Sequence, residues 1–257
     1  MANEAEIEVE MGWVYLPTKF FDEKILLERP EYTIEIEQGH IKTRMNEGYY
    51  SSRPALYDSL TEWLNMYFHG LNLVQRKTFS IHRSGLVRFY PDGRSDTTLV
   101  IEDMYHKHSV DHIELSCTDD EGQVHDSRRE RIDATKKLAE LSAKHHEDRT
   151  ARKILNSFYD AFKDPGNEFV YLLEIWEALR AKLQGRNSAL AILEISEPEL
   201  DWLYVLTCKK PLKQGRHRGR SESLREATLE ELDEARTIVR NMIIMYLQFL
   251  EAPAAKS

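Results

Sequence analysis

The chain predicts an α+β protein: an N-terminal part with an antiparallel sheet and one long helix, followed by an all-α C-terminal helical bundle. Three observations predict it. Apolar residues alternate with polar ones in several short runs before residue 126. From Ser127 onward they recur at three and four instead, the period of a helix with one buried face. The change of period is abrupt, so the expected domains are 1–126 and 127–257, with no internal repeat and no low-complexity segment.

The elements follow in order. Val9, Met11, Trp13 and Tyr15 share one alternation within Glu8–Leu16, and Pro17 stops the strand. Tyr32, Ile34 and Ile36 alternate with acids and a threonine, Gln38-Gly39 turns the chain, and Ile41 to Met45 returns as a hairpin. Pro54 suits the first turn of a helix whose stripe is Leu56, Leu60, Trp63, Leu64, Tyr67, Phe68 and Leu71. Phe79-Ile81 and Leu86-Phe89 flank Arg83-Ser84-Gly85, which reads as a second hairpin. Pro91-Asp92-Gly93 is a turn, Leu99 to Glu102 a strand, and Ile113–Cys117 with Gln123–His125 a further strand pair.

Helices are expected over 128–146 and 149–163, then over 168–183 with Asn167 as its cap after Asp164-Pro165-Gly166. Shorter ones follow over 188–193 and 197–207. Ser196 with Glu199, and Thr228 with Glu231, are capping boxes: a hydroxyl oxygen accepts from a free amide while the Glu reaches back. The second opens a helix to about Leu250.

Composition excludes several classes. Lys and Arg total 35 and Asp and Glu 44, a formal net charge of −9; 41% of residues are hydrophobic and 31% charged. The most apolar stretch, Ile238 to Leu250, is too short to span a membrane and is interrupted by Arg240, Asn241 and Gln248. The N-terminus lacks the basic start and apolar run of a secretory signal. Only Cys117 and Cys208 are present, which fits a reducing compartment, so the expected location is cytoplasmic. No GxxxxGK[ST], GxGxxG or GxSxG occurs, and no cofactor is expected. His106, His108 and His112 lie among Asp103, Asp111 and Glu114 and could offer two ligands on one strand face. No Cys pair or HExxH joins them, and the expectation is that the chain holds no metal.

Charge is concentrated between residues 209 and 225, where Lys209, Lys210, Lys213, Arg216, Arg218, Arg220 and Arg225 face Glu222 alone. Pro211, Gly215 and Gly219 make this a loop. Arg216 and Arg218 flank His217; guanidiniums fork onto phosphate oxygens, and the imidazole between them suits an acid/base role. The candidate site is therefore His217 as the catalytic group, with Arg216, Arg218, Lys210, Lys213 and Arg220 as ligand-binding cations. The alternative is structural: the loop's cations pair with acids such as Glu174, Glu177 or Glu226. Glu174, inside a mostly apolar helix, is the expected partner, because a buried carboxylate needs one.

An apolar helix with an inner Glu (167–183), short helices, a basic loop with Arg216-His217-Arg218 and a long last helix (228–250) resemble the HEPN-like helical domains of prokaryotic defence and toxin proteins, over residues 128–250. The resemblance implies a bundle that dimerises, with RNA or a nucleotide as partner, and in many members a metal-independent ribonuclease. That activity uses an Arg, four to six residues, then a His. Counting back from His217 reaches Leu212, Pro211 and Lys210, so His217 alone carries over. Two functions follow: binding of RNA or another phosphate-bearing ligand at the loop, with degenerate ribonuclease activity, or a non-catalytic dimerising interaction module whose loop is structural.

Overall fold

The computed structural model describes residues 7–21, 23–100, 117–118, 124–125, 127–216 and 223–252. It is α+β, with an antiparallel sheet first and helices after it. The chain divides into two compact units, Met1–Asn65 with Lys77–Asp111, and Met66–Arg76 with His112–Ser257.

The first unit is a six-stranded antiparallel sheet in the order β2-β3-β4-β1-β5-β6. The strands are β1 (Glu8–Leu16), β2 (Ile25–Glu28), β3 (Tyr32–Glu37), β4 (His40–Asn46), β5 (Ser80–Phe89) and β6 (Ser95–Leu99). A short helix α1 (Glu47–Ser51) and the long α2 (Leu56–Gln75) connect β4 to β5. The alternation of β1 does what it predicts: Val9, Met11, Trp13 and Tyr15 are all buried. α2 is tied to that side of the sheet by polar atoms as well as by its apolar stripe. Trp13 Nε1 donates to Thr61 Oγ1 at 2.9 Å, and Tyr57 donates to the Gly12 carbonyl at 2.6 Å. The residues between are ionic: Glu10 pairs with Arg44 at 2.8 Å, and Lys24 with Glu35 at 2.9 Å. One apolar and one polar face is the usual economy of an antiparallel sheet.

The β3–β4 hairpin forms as expected, with Gln38 and Gly39 both at positive φ (47° and 86°), the backbone of a primed two-residue turn. Two expectations need correction. Arg83-Ser84-Gly85 is no hairpin: β5 runs straight through it, paired along its whole length with β1. The register shifts between Gly12 and Trp13, opposite Gly85 and Arg83, so Ser84 is the extra residue of a bulge. Small turn-forming residues serve a bulge as well as a turn. Gly85, at φ 153°, is required there because a Cβ would stand 2.4 Å from the Thr98 carbonyl oxygen. The strand after the Pro91-Asp92-Gly93 turn is β6, four residues earlier than the expected Leu99 start, because the turn is tight: Tyr90 and Arg94 close it at 2.9 Å. Cys117–Thr118 (β7) pairs with Val124–His125 (β8); the remainder of that expected pair lies outside the described residues.

The helical unit comprises α3 (Ser127–Lys144), α4 (Arg149–Lys163), α5 (Glu168–Lys182), α6 (Arg186–Ile192), α7 (Glu197–Tyr204) and α8 (Leu229–Glu251), with a 3₁₀ turn Pro165–Asn167 and a π turn Val205–Lys209. Its core is built chiefly by α4, α5 and α8, where Phe158, Phe169, Leu172, Val239, Ile243 and Tyr246 are buried together. Asp148 caps α4 by accepting from Ala151 N at 2.7 Å, and also receives Tyr246 Oη of α8 at 3.1 Å. Both expected capping boxes are present, at Ser196/Glu199 and Thr228/Glu231. Asn167 precedes α5 but makes no side-chain cap; its amide donates instead to Asp164 Oδ2 at 2.6 Å, satisfied locally by the 3₁₀ turn.

The end of α2, from Met66, belongs to the helical unit, and Gly70 is the reason it packs closely on α3. A Cβ at Gly70 would stand 2.7 Å from Ala139 Cα and 2.8 Å from the Leu138 carbonyl oxygen. In an exposed helix, Gly to Ala stabilises by about 1 kcal/mol. Here the added methyl meets backbone, so Gly70→Ala is expected to cost about 2 kcal/mol, read as a fall in the urea midpoint.

Candidate functional site

The basic loop starts where α7 passes into the π turn. Thr207 Oγ1 donates back to the Leu203 carbonyl at 2.8 Å, and the Thr207 carbonyl receives Arg216 N at 2.9 Å. Leu212 is buried and anchors the loop in the core. Opposite it, Arg225 N donates to the Pro211 carbonyl and Lys213 N to the Arg225 carbonyl, both at 3.0 Å. Residues 211–213 and 225 thus form a closed stem.

One carboxylate locks that stem. Glu231, the capping-box residue of α8, has a side chain only 9% exposed. It accepts from Lys210 Nζ at 2.7 Å, from Arg225 Nη2 at 2.6 Å and Nη1 at 2.8 Å, and from Thr228 N at 2.9 Å. Lys210 and Arg225 stand at the two ends of the loop, so Glu231 holds both. The Arg225 guanidinium, against the opposing effect of burial and with help from Lys210 and the Thr228 amide, holds this carboxyl far below the ordinary carboxylate range. Gln214 adds a second tie: its amide donates to Glu226 at 2.6 Å and its carbonyl receives Ala227 N at 3.1 Å. Lys210 also sits 4.2 Å above the Trp202 ring, whose Nε1 donates to Glu234 at 2.6 Å.

Replacing Glu231 removes two ion pairs and half a capping box. Glu231→Ala is expected to lower stability by about 2–3 kcal/mol and to open residues 213–225 to trypsin. Denaturation and limited proteolysis read the two effects separately.

The candidate cations divide. Lys210 belongs to the stem and Lys213 pairs with Glu226 at 3.0 Å. Arg216 Nη1 reaches Glu177 of α5 at 2.7 Å, with both side chains near half exposure, 48% and 43%. Among the described residues, the acid that meets Arg216 is Glu177. Glu174, one turn earlier, is half-buried and joins no ion pair among the described residues. A helix brings positions three apart to one side, and Glu177 is the one that reaches Arg216. His217, Arg218 and Arg220 lie outside the described residues, as do His106, His108 and His112. Among the described residues, no three metal-ligating side chains come together and no helix is long and apolar enough to cross a membrane.

Sequence reasoning saw Glu231 only as a helix cap. The distance of Glu231 from Lys210 in the chain hid its second role, although a capping glutamate close after a basic run is a usable signal. No family model, no curated protein and no solved structure matches this chain.

Proposed function

We propose that the helical unit binds RNA or another phosphate-bearing ligand at the Arg216-His217-Arg218 part of the basic loop, while the loop's stem is structural. The observation that carries this reading is the loop's charge after its partners are counted. Seven bases lie between residues 209 and 225 with Glu222 among them, and the acids paired to the loop among the described residues are three: Glu177, Glu226 and Glu231. Seven bases against those four acids is an excess of three positive charges in the sequence, and Lys209 is exposed with no ion pair among the described residues. Rigid presentation of a charged loop is how folds commonly hold an anion site. The Arg216–Glu177 pair is solvent-exposed, and such pairs contribute little, about 0–1 kcal/mol, so a phosphate can displace the carboxylate. Arg216, Arg218 and Arg220 are the proposed phosphate contacts. His217 would act as general acid/base if the ligand is cleaved, with the 2′-OH as attacking group. A homodimer and a cytoplasmic location belong to this same HEPN-like reading.

A second reading has its own observation. Lys210, Lys213, Arg216 and Arg225 each meet an acid, which suits a non-catalytic interaction module with a wholly structural loop. Anisotropy with a labelled single-stranded RNA separates the two. Binding should weaken steeply with added salt and fall about tenfold in Arg216→Ala with Arg218→Ala. Salt-insensitive or absent binding by the folded protein favours the interaction module. RNA cleavage in EDTA that disappears in His217→Ala identifies a nuclease.

A further inference from the structure

We infer that the groove between α7 and α8 receives a basic amphipathic helix from a partner protein. This inference does not depend on what the loop binds. Two adjoining cavities, of about 220 and 430 Å³, share Glu199 and Ile238 in their walls. The floor is apolar: Leu193 and Ile195 between α6 and α7, Trp202 of α7, and Ile238, Ile244 and Met245 of α8. From Asp233 to Met245 the groove follows α8 for thirteen residues, about 18 Å or some three turns. That length admits apolar anchors spaced at i, i+3 or i+4, and i+7 on one face of a bound helix.

The rim fixes the sign of the partner. Among the described residues, no lysine, arginine or histidine lines either cavity. Glu199 accepts from the Ser196 amide and hydroxyl, and Glu234 from the Trp202 indole. These partners are neutral, and neither carboxylate joins an ion pair among the described residues. Glu194 is exposed and in no ion pair among the described residues. Of the rim carboxylates, Asp233 alone is paired with cations among the described residues, Arg76 at 2.8 Å and Arg236 at 3.2 Å. An apolar floor with an anionic rim is complementary to leucine-like anchors flanked by lysine or arginine. The same carboxylates repel RNA, so this face and the basic loop take different ligands. A second copy of this chain carries a net charge of −9 and is disfavoured as the occupant.

The test uses the full chain and a fluorescent Leu/Lys amphipathic peptide of about 14 residues, roughly four helical turns, beside its Leu/Glu counterpart. The cationic peptide should bind and the anionic one should not. Met245→Lys should weaken binding at least about tenfold. Glu199→Gln with Glu234→Gln keeps both hydrogen-bonded positions and should remove most of the salt dependence. Far-UV circular dichroism checks that each variant folds, and Met245→Ala substitutes if Met245→Lys does not. Equal binding of both peptides, or unchanged binding by folded variants, would overturn the inference. So would self-association of the chain that Met245→Lys abolishes, which would make a second copy the occupant. RNA binding at the loop is measured separately, so either idea can fail alone.

Discussion

Arg236→Met should destabilise the helical unit by about 3–5 kcal/mol, the largest effect expected of any single polar substitution here. Glu168 opens α5 with a side chain only 2% exposed. Arg236 of α8 grips it through Nε at 2.5 Å and Nη2 at 2.9 Å, a two-pronged contact. Its third nitrogen reaches Asp233 at 3.2 Å. Removing the guanidinium leaves the buried Glu168 carboxylate without the cation that pairs with it among the described residues. The penalty is that desolvation, more than the lost attraction. The double variant Glu168→Leu with Arg236→Met separates these effects: removing both charges should recover most of the loss. Urea denaturation followed by tryptophan emission reads both, since Trp176 lies buried on α5. A single variant costing under 1 kcal/mol, at an unchanged slope, would refute the argument.

Acidification should weaken the same unit well before its carboxylates titrate. His69, near the end of α2, is buried with its ring edge-on to Tyr159 at 5.1 Å. Burial pushes its imidazole from 6.5 down to about 4. The folded chain therefore keeps His69 neutral where the unfolded chain takes up a proton. Its contribution is complete above pH 6.5 and is lost progressively as the pH falls towards 4, about 3 kcal/mol in all. Glu231, Asp148, Asp233 and Glu251 also have depressed values, but carboxylates add their own loss only below about 4.5. Among the described residues, the slope between about pH 6.5 and 5 is thus assigned to His69. His69→Phe, which keeps a ring against Tyr159, should flatten it. An unchanged slope in urea midpoints taken across that window would show that another group is responsible.

The sequence by itself determined the elements whose cause is local. β1 and the β3–β4 hairpin were legible because alternate side chains point to opposite faces and Gln38-Gly39 supplies the positive φ. The start of α8 was legible because a capping box is complete within four residues, Thr228 to Glu231. Where one local pattern serves two geometries, reading failed: Arg83-Ser84-Gly85 suits a turn, and only pairing with β1 makes it a bulge. Asn167 has the chemistry of a cap, but its backbone (φ −118°, ψ 15°) continues the preceding 3₁₀ turn instead of taking the extended shape a cap needs.

The site divides along the same line. That residues 209–225 form a basic loop follows from composition; which acids answer it does not. Glu231 gathers Lys210 from one end of that loop and Arg225 from the other, and Glu177 rather than Glu174 meets Arg216. Glu168 finds Arg236 across 68 positions, and the α7–α8 groove exists only once Trp202 and Ile238 are brought together. Each of these depends on packing helices side by side. Electrostatic attraction and burial act through space, whereas caps and periodicities act along the chain, so tertiary structure alone could decide them.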